Sequence, residues 1–243
     1  MPRFLVSLFT RRHDDKSDQV SNQASMRGSG PFMIPAVGYR SGDVAAVLDP
    51  SISDNPASWQ INAESGRRTW IYKRPDLNIT LDFIDTSRAD LDETLQENVT
   101  AVLFVGNLAC YDEPAQQATN YIQGLLDCFT TLRSTTSHLP MIFILRGTKD
   151  FRARQQETPL YCCFPDGDGD TTHEPGEVAG MKLLLRKINR VSGPGQGEAD
   201  PGKRGEMYLH FADDQDGGAL DLRFLEAAVK EVIIQNCGGY PVK

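Results

Sequence analysis

Short apolar runs alternate with longer amphipathic segments over most of the chain, and this alternation constrains the fold more than any other sequence feature. Four runs have the length and composition of strands, namely 79–84, 99–105, 141–145 and 207–211, and the largely apolar run 99–105 is typical of a parallel strand covered on both faces. Apolar residues at helical spacing predict three helices, near 114–133, 176–190 and 221–235. Strands alternating with helices predict an α/β fold with a mostly parallel sheet and helices on both faces.

The amino-terminal part of the chain lacks this regular pattern. Residues 1–56 are rich in polar residues, glycine and serine, so we expect a low-complexity, disordered arm there and a folded domain over 57–243. The one element expected inside the arm is a short helix at 41–51. The sheet also needs a first strand, and the two candidates for it are 4–9 and a segment near 57–62.

Charge and cysteine usage limit the function. The formal net charge is −8 and the pI is about 5.0, without clustered basic residues, which argues against general nucleic-acid binding. The five cysteines have no metal-ligand spacing, and their odd number without a secretory signal favours a reducing, cytoplasmic setting. The apolar run 4–9 is too short to cross a bilayer, so we expect no integral membrane segment.

Several segments of this pattern resemble the heterotrimeric G-protein alpha subunits, in the same order along the chain. "QENVTAVLFVGNLACYDEP" resembles the family's strand after the second switch, and "MIFILRGTKDF" resembles the strand that ends in the guanine-reading Asn-Lys-x-Asp. "TPLYCCFP" resembles a loop that small Ras-type GTPases lack, and "YLHFADDQD" resembles the family's base-binding strand and loop. The resemblance covers residues 69–236.

This resemblance implies a truncated Ras-like fold of the P-loop NTPase type, without the inserted helical domain of the alpha subunits. It implies GTP or GDP and Mg²⁺ as ligands. The protein partners that it implies are the G-protein βγ dimer and a receptor or effector. The implied location is the cytoplasm, with peripheral attachment to a membrane through those partners.

Five residues fall on the family's nucleotide-binding and metal-binding positions. Asp85, in "LDFIDTSRA", falls on the Mg²⁺-associated Asp, and Thr69 precedes it at close to the spacing of the first-switch Thr. The resemblance therefore implies that Thr69 and Asp85 hold the metal. Lys149 and Asp150 fall on Asn-Lys-x-Asp, where the Asp accepts hydrogen bonds from guanine, and Ala212 opens the loop that cups the base.

The basic pair Arg67 and Arg68 supplies the candidates for the catalytic arginine of the first switch. A solvated basic pair is the alternative interpretation. The surrounding "AESGRRT" superficially echoes a phosphate loop. A phosphate loop must open a helix, however, whereas Pro75 and a strand follow here.

Other positions depart from the family's pattern. Arg88 replaces the glycine that approaches the γ-phosphate, Ala89 replaces the water-orienting Gln, and no G-x-x-x-x-G-K-[ST] motif occurs. We therefore expect a divergent protein of the alpha-subunit type in which nucleotide binding and GTP hydrolysis are impaired. The alternative is a non-catalytic Ras-like scaffold that binds a signalling partner, or an incomplete gene product.

Overall fold

A computed structural model describes most of the regular elements of the chain. The described residues are 32–54, 57–64, 67–74, 79–85, 94, 99–115, 120–164, 176–192, 205–212, 224, 227, 228 and 231. They form seven strands: β1 Phe32–Gly38, β2 Trp59–Glu64, β3 Arg67–Arg74, β4 Ile79–Asp85, β5 Val102–Asn107, β6 Met141–Arg146 and β7 Met207–Phe211. Four α-helices are described along their length: α1 Asp43–Asp54, α2 Tyr121–Thr135, α3 Thr148–Arg154 and α4 Glu177–Ser192.

All seven strands belong to one sheet, in the order β2-β3-β4-β1-β5-β6-β7. Strands β4, β1, β5, β6 and β7 run parallel to one another. The β2–β3 and β3–β4 pairs are antiparallel. The predicted α/β fold with a mostly parallel sheet is therefore confirmed.

Each face of the sheet carries its own apolar core. Residues of β5 alternate between the two cores, with Val102 and Phe104 on one face and Leu103 and Val105 on the other. Helices α2 and α4 cover the first face, while α1 covers the second. This arrangement explains why β5 and β6 read as continuous apolar runs, because both of their faces are buried.

The predicted strands and one predicted helix agree closely with the structure. The runs 79–84, 99–105, 141–145 and 207–211 overlap β4, β5, β6 and β7 to within three residues at each end, and the helix expected near 176–190 is α4. The helix expected near 114–133 begins later, at Tyr121. The helix expected at 221–235 lies largely outside the described residues, although positions 224, 227, 228 and 231 are helical.

The expectation of a loose arm through residue 56 does not hold for 32–54. Residues Phe32–Gly38 form β1 in the middle of the sheet, and the short helix expected at 41–51 is part of α1, Asp43–Asp54. The segment near 57–62 is not the first strand but the edge strand β2. The other candidate, 4–9, lies outside the described residues.

Pro35 explains why the sequence pattern did not predict β1. Proline is normally excluded from central strands because it has no N–H to donate. The Tyr39 N–H donates to the Val105 carbonyl of β5 at 3.0 Å, so Pro35, four residues earlier, also faces β5. Met33 forms an isolated parallel bridge with Val99, and the regular pairing of β1 with β5 begins at Ala36, so Pro35 lies in the gap between them. The missing N–H therefore falls where no regular sheet bond is made.

Candidate functional site

The strand order creates a crevice at the carboxyl ends of β1 and β5. The chain leaves β1 towards α1 on one face of the sheet, and it leaves β5 towards α2 on the opposite face. In open α/β sheets, ligands bind where neighbouring strands diverge in this way. We call this region the β1–β5 crevice, formed by residues 38–43, the segment 107–113 and Tyr121.

The loop between β1 and α1 is closed on itself. The Arg40 N–H donates to the Asp43 carboxylate at 2.8 Å, and the Asp43 N–H donates to the Arg40 carbonyl at 3.2 Å. The Tyr39 N–H is used by the Val105 carbonyl of β5. Gly38 has no room for a side chain, because a Cβ would lie 2.8 Å from the Arg40 carbonyl oxygen. The N–H groups of Tyr39, Arg40 and Asp43, which could otherwise bind an anion, therefore donate to oxygen atoms of the protein.

Arg40 and Tyr121 fill the space beside this loop. The Arg40 guanidinium lies 4.6 Å from the centroid of the Tyr121 ring and donates to the Glu113 carboxylate at 2.8 Å. The Tyr39 ring packs edge-on against Tyr121, with the centroids 4.8 Å apart. The Asn107 N–H donates to the Tyr121 hydroxyl at 2.8 Å. Side chains of the loop and of α2 therefore occupy the centre of the crevice.

Burial makes the crevice unfavourable for negative charge. Burial raises the pKa of Asp43 above its ordinary value, although the hydrogen bond from the Arg40 backbone and the nearby Arg146 charge oppose that change. Burial and the charge of Asp43 raise the pKa of Tyr121 above its usual range. Burial and the neighbouring Glu113 raise the pKa of the Cys110 thiol to about 11. Asp43 and Glu113 already place acidic groups where an anionic ligand would bind.

The predicted base-reading residues come together at the ends of β6 and β7. The buried Thr148 hydroxyl donates to the Ala212 carbonyl at 2.8 Å, which places Ala212 beside the first turn of α3. Lys149 and Asp150 lie in that turn and are exposed. Gly147 precedes them with φ 70°, and a Cβ there would lie 2.6 Å from the Asn107 side-chain oxygen. Lys149, Asp150 and Ala212 thus share one corner of the sheet.

The predicted metal-binding residues lie at a second corner, on β3 and β4. Asp85 ends β4 opposite Ala36 of β1, and Thr69 pairs with Ile84. Partial burial raises the pKa of Asp85, and the charge of Arg68 opposes this effect. Within the described part of the chain, no three His, Cys, Asp or Glu side chains converge as metal ligands.

This corner does not fit a magnesium site built by the protein alone. Mg²⁺ is usually held by one or two carboxylates together with substrate phosphates. Asp85 supplies one carboxylate here, and Thr69 would add a hydroxyl. The phosphate oxygens would have to come from a ligand bound at the closed loop beside Arg40.

The two candidate arginines make different contacts in the structure. Arg68 donates to the Asp49 carboxylate of α1 at 2.9 Å, and its guanidinium lies 5.4 Å from the centroid of the Trp70 ring. Trp70 also donates to Asp49, at 2.8 Å. The backbone of Arg67 lies opposite that of Glu64 in the antiparallel β2–β3 pair. Arg68 is therefore a tie between β3 and α1, and "AESGRRT" lies on a hairpin rather than at the start of a helix.

The sequence interpretation missed the residues at the centre of the crevice, which are Gly38, Tyr39, Arg40, Asp43 and Tyr121. One signal for them was available, since an apolar run is followed by Gly-x-x-x-Gly and then by an amphipathic helix. That pattern was hidden by Pro35 and by the polar residues that precede it.

Comparison with known proteins adds no identification. No protein-family model matches the chain, and no curated protein matches it significantly. Among the described residues, no helix has both the length and the apolar composition needed to cross a membrane.

Proposed function

We propose that this chain is a divergent Ras-like domain of the G-protein alpha-subunit type that does not turn over GTP and acts by binding a protein partner. The motif resemblance supports the ancestry. The partner classes that the resemblance implies are the βγ dimer, a receptor or an effector. The closed loop between β1 and α1 is the observation that carries the loss of turnover.

The position of β1 in the sheet supports the Ras-like part of this proposal. A phosphate-binding loop joins a strand to the start of a helix, with the sequence G-x-x-x-x-G-K-[ST]. In this chain β1 is followed by Gly38-Tyr39-Arg40-Ser41-Gly42-Asp43-Val44 and then by the body of α1. The loop is one residue shorter than the motif. Asp43 and Val44 follow its second glycine, where the motif has Lys and then Ser or Thr.

These replacements remove each function of a phosphate loop. The motif's lysine neutralises phosphate charge, whereas Asp43 would repel it. The motif's Ser or Thr hydroxyl binds Mg²⁺, whereas Val44 has no polar atom. Backbone N–H groups normally surround the phosphate, whereas those of Tyr39 and Arg40 are bound to Val105 and Asp43.

A signalling GTPase is the second candidate function, and the corner at α3 favours it. Asp150 and Lys149 remain exposed beside Ala212, as expected for a site that reads a guanine base. A base contact without phosphate contacts supports little affinity, because phosphates supply most of the charge that such sites bind. We therefore favour the non-catalytic role.

Single-turnover phosphate release from GTP with Mg²⁺ tests this proposal. Alpha subunits hydrolyse GTP at about 10⁻² s⁻¹, and we expect this chain to stay below about 10⁻⁵ s⁻¹ because charge neutralisation and water placement are both absent. Asp85→Ala is the matched control, since it removes the one carboxylate expected to hold the metal. Release near the rate of an alpha subunit, abolished by Asp85→Ala, would contradict the proposal.

A further inference from the structure

The edge strand β2 has the geometry to pair with itself. It forms one end of the sheet, and no described segment pairs with its outer side. Gln60, Ile61 and Asn62 are all exposed. Ile61, with 47% of its surface exposed, is one of two exposed large apolar residues in the described part of the chain. We propose that β2 pairs antiparallel with β2 of a second copy of this chain, forming a two-fold symmetric dimer with one continuous sheet.

The hydrogen bonds inside the β2–β3 hairpin determine which backbone groups face outward. In an antiparallel pair, only every second residue of a strand directs its N–H and C=O to the neighbouring strand. The Lys73 N–H donates to the Ser58 carbonyl at 2.7 Å, so even-numbered positions of β2 face β3. The backbone groups of Trp59, Ile61 and Ala63 therefore point away from the sheet.

These outward groups match one another in more than one antiparallel register, and one register pairs all three of them. With Ile61 opposite Ile61 of the second copy, Trp59 lies opposite Ala63 and every outward-facing residue meets another. Each of these pairs can exchange two hydrogen bonds, as directly opposed outward-facing residues do in an antiparallel ladder. A shift by one residue would set outward-facing groups against inward-facing ones. A shift by two residues would pair fewer of them, so the register that pairs all three sets the two-fold axis at Ile61.

β2 also lacks the usual protection of an edge strand. Proteins block such edges with lysine, proline, bulges or inward-pointing charges. The segment Trp59–Glu64, "WQINAE", has neither lysine nor proline, and its pairing with β3 is continuous over six residues. The opposite edge strand, β7, is better covered, because none of its five residues is exposed. Self-pairing is therefore expected at β2 rather than at β7.

The size of the contact predicts a weak dimer. Stable protein interfaces bury about 1,200–2,000 Å² in total, and a six-residue strand edge supplies only part of that area. We expect a dissociation constant on the order of tens of micromolar. Sedimentation velocity of the full chain from about 5 to 500 μM should show a concentration-dependent shift from monomer to dimer.

Ile61→Lys tests the surface, because it sets two like charges directly opposite each other across the two-fold axis. We expect the dissociation constant to rise at least about tenfold. Val178→Lys is the matched control, since Val178 is the other exposed large apolar residue, at 65%, and lies on α4. The proposal would be overturned if the Ile61→Lys variant dimerised with the same dissociation constant as the wild type. It would also be overturned if the wild type stayed monomeric at every concentration.

Cysteine cross-linking tests the register independently of stability. Directly opposed, hydrogen-bonded residues have Cα atoms about 5.5 Å apart, which lies within the range of a disulfide. Ile61→Cys should therefore form a disulfide-linked dimer on mild oxidation. Asn62→Cys should form none beyond the wild-type background, because Asn62 faces Gln60 of the second copy. Equal cross-linking by both variants would overturn the proposed register.

Hydrogen exchange separates this dimer from coverage of β2 by another part of the same chain. In the proposed dimer, protection of the Ile61 amide increases with protein concentration. Protection of that amide in a monomer, at every concentration, would mean that another segment occupies the edge, and it would overturn the proposal. None of these measurements depends on whether the chain binds a nucleotide.

Discussion

Asp43 follows the second glycine of the loop after β1, where the phosphate-loop motif has its lysine. Its carboxylate accepts the Arg40 N–H at 2.8 Å and is largely buried, with 7% of the residue exposed. Asp43 thereby supplies the negative charge that a phosphate would otherwise bring to this loop. Because the charge is covalently part of the chain, it competes with any added anion at no cost in translational freedom.

A neutral side chain at position 43 should stabilise the folded protein near neutral pH. The pKa of Asp43 is raised above its ordinary value of 3.8, mainly by burial, so the fold disfavours the ionised carboxylate. Asn can still accept the Arg40 N–H through its amide oxygen. We therefore expect Asp43→Asn to raise the melting temperature at pH 7.

The pH dependence of this effect has a defined sign. The folded state binds the Asp43 proton more tightly than the unfolded chain does, so its contribution to stability falls as pH rises from 3.8 through the folded pKa. The difference between wild type and Asp43→Asn should therefore vanish below that window and be greatest above it. Asp49→Asn on the same helix is the control and should destabilise, because Asp49 binds Arg68 and Trp70. A lower melting temperature for Asp43→Asn at pH 7 would refute this account.

At the scale of elements, both a local and a long-range contact fix the start of α2. The Asn120 side chain accepts the Gln123 N–H at 3.0 Å, as an N-cap does, and it also donates to the Cys163 carbonyl at 2.8 Å. The same buried residue thus begins the helix and ties it to the loop at 160–163.

Loss of the Asn120 side chain should destabilise α2 and its tie to that loop together. We expect Asn120→Ala to cost about 2–3 kcal/mol, since it removes a cap and leaves the buried Cys163 carbonyl without its donor. Asn120→Ser keeps a capping oxygen, so it should recover about 1 kcal/mol of that loss. Urea denaturation gives both values. Equal stability of Asn120→Ala and wild type would show that α2 starts for other reasons.

The elements that were predicted correctly are those whose own amino-acid composition indicates burial. Strands β5 and β6 are apolar on both faces, so their identity does not depend on distant contacts. The start of α2 was misplaced because Asp112 and Pro114 resemble a helix start. In the structure the Asp112 carboxylate binds Arg154 at 2.6 Å instead. A contact between residues so far apart in the chain has no local signature.

The candidate site was predictable at its corners but not at its centre. Asp85 and Asp150 follow strands, so the carboxyl edge of the sheet collects them whatever the loops do. The closure of the crevice depends on Arg40 packing on Tyr121, which only the tertiary structure brings together. β1 itself was missed because of Pro35, which is tolerated because it lies in the gap between the Met33–Val99 bridge and the regular β1–β5 pairing.

At the scale of the whole molecule, the two corners that the sequence resemblance assigns to a nucleotide lie apart on the sheet, and side chains fill the space between them. Asp85 ends β4 and Asp150 follows β6, with β1 and β5 between them, so three strand spacings of about 4.8 Å separate the two corners. A nucleotide that bridges them would have to lie across the β1–β5 crevice. Arg40, Asp43 and Tyr121 occupy that region, so protein side chains fill the space that the phosphates of such a nucleotide would need.

Equilibrium binding of fluorescent GTPγS with Mg²⁺ tests this central claim most directly. The account predicts no saturable binding up to about 1 mM, because the N–H groups of Tyr39, Arg40 and Asp43 are already bound and Asp43 repels phosphate. Unlabelled GTP and ATP serve as competitors, and Asp85→Ala serves as the control for metal-dependent binding. Saturable binding with a dissociation constant below about 10 μM, displaced by GTP but not by ATP and weakened by Asp85→Ala, would contradict it.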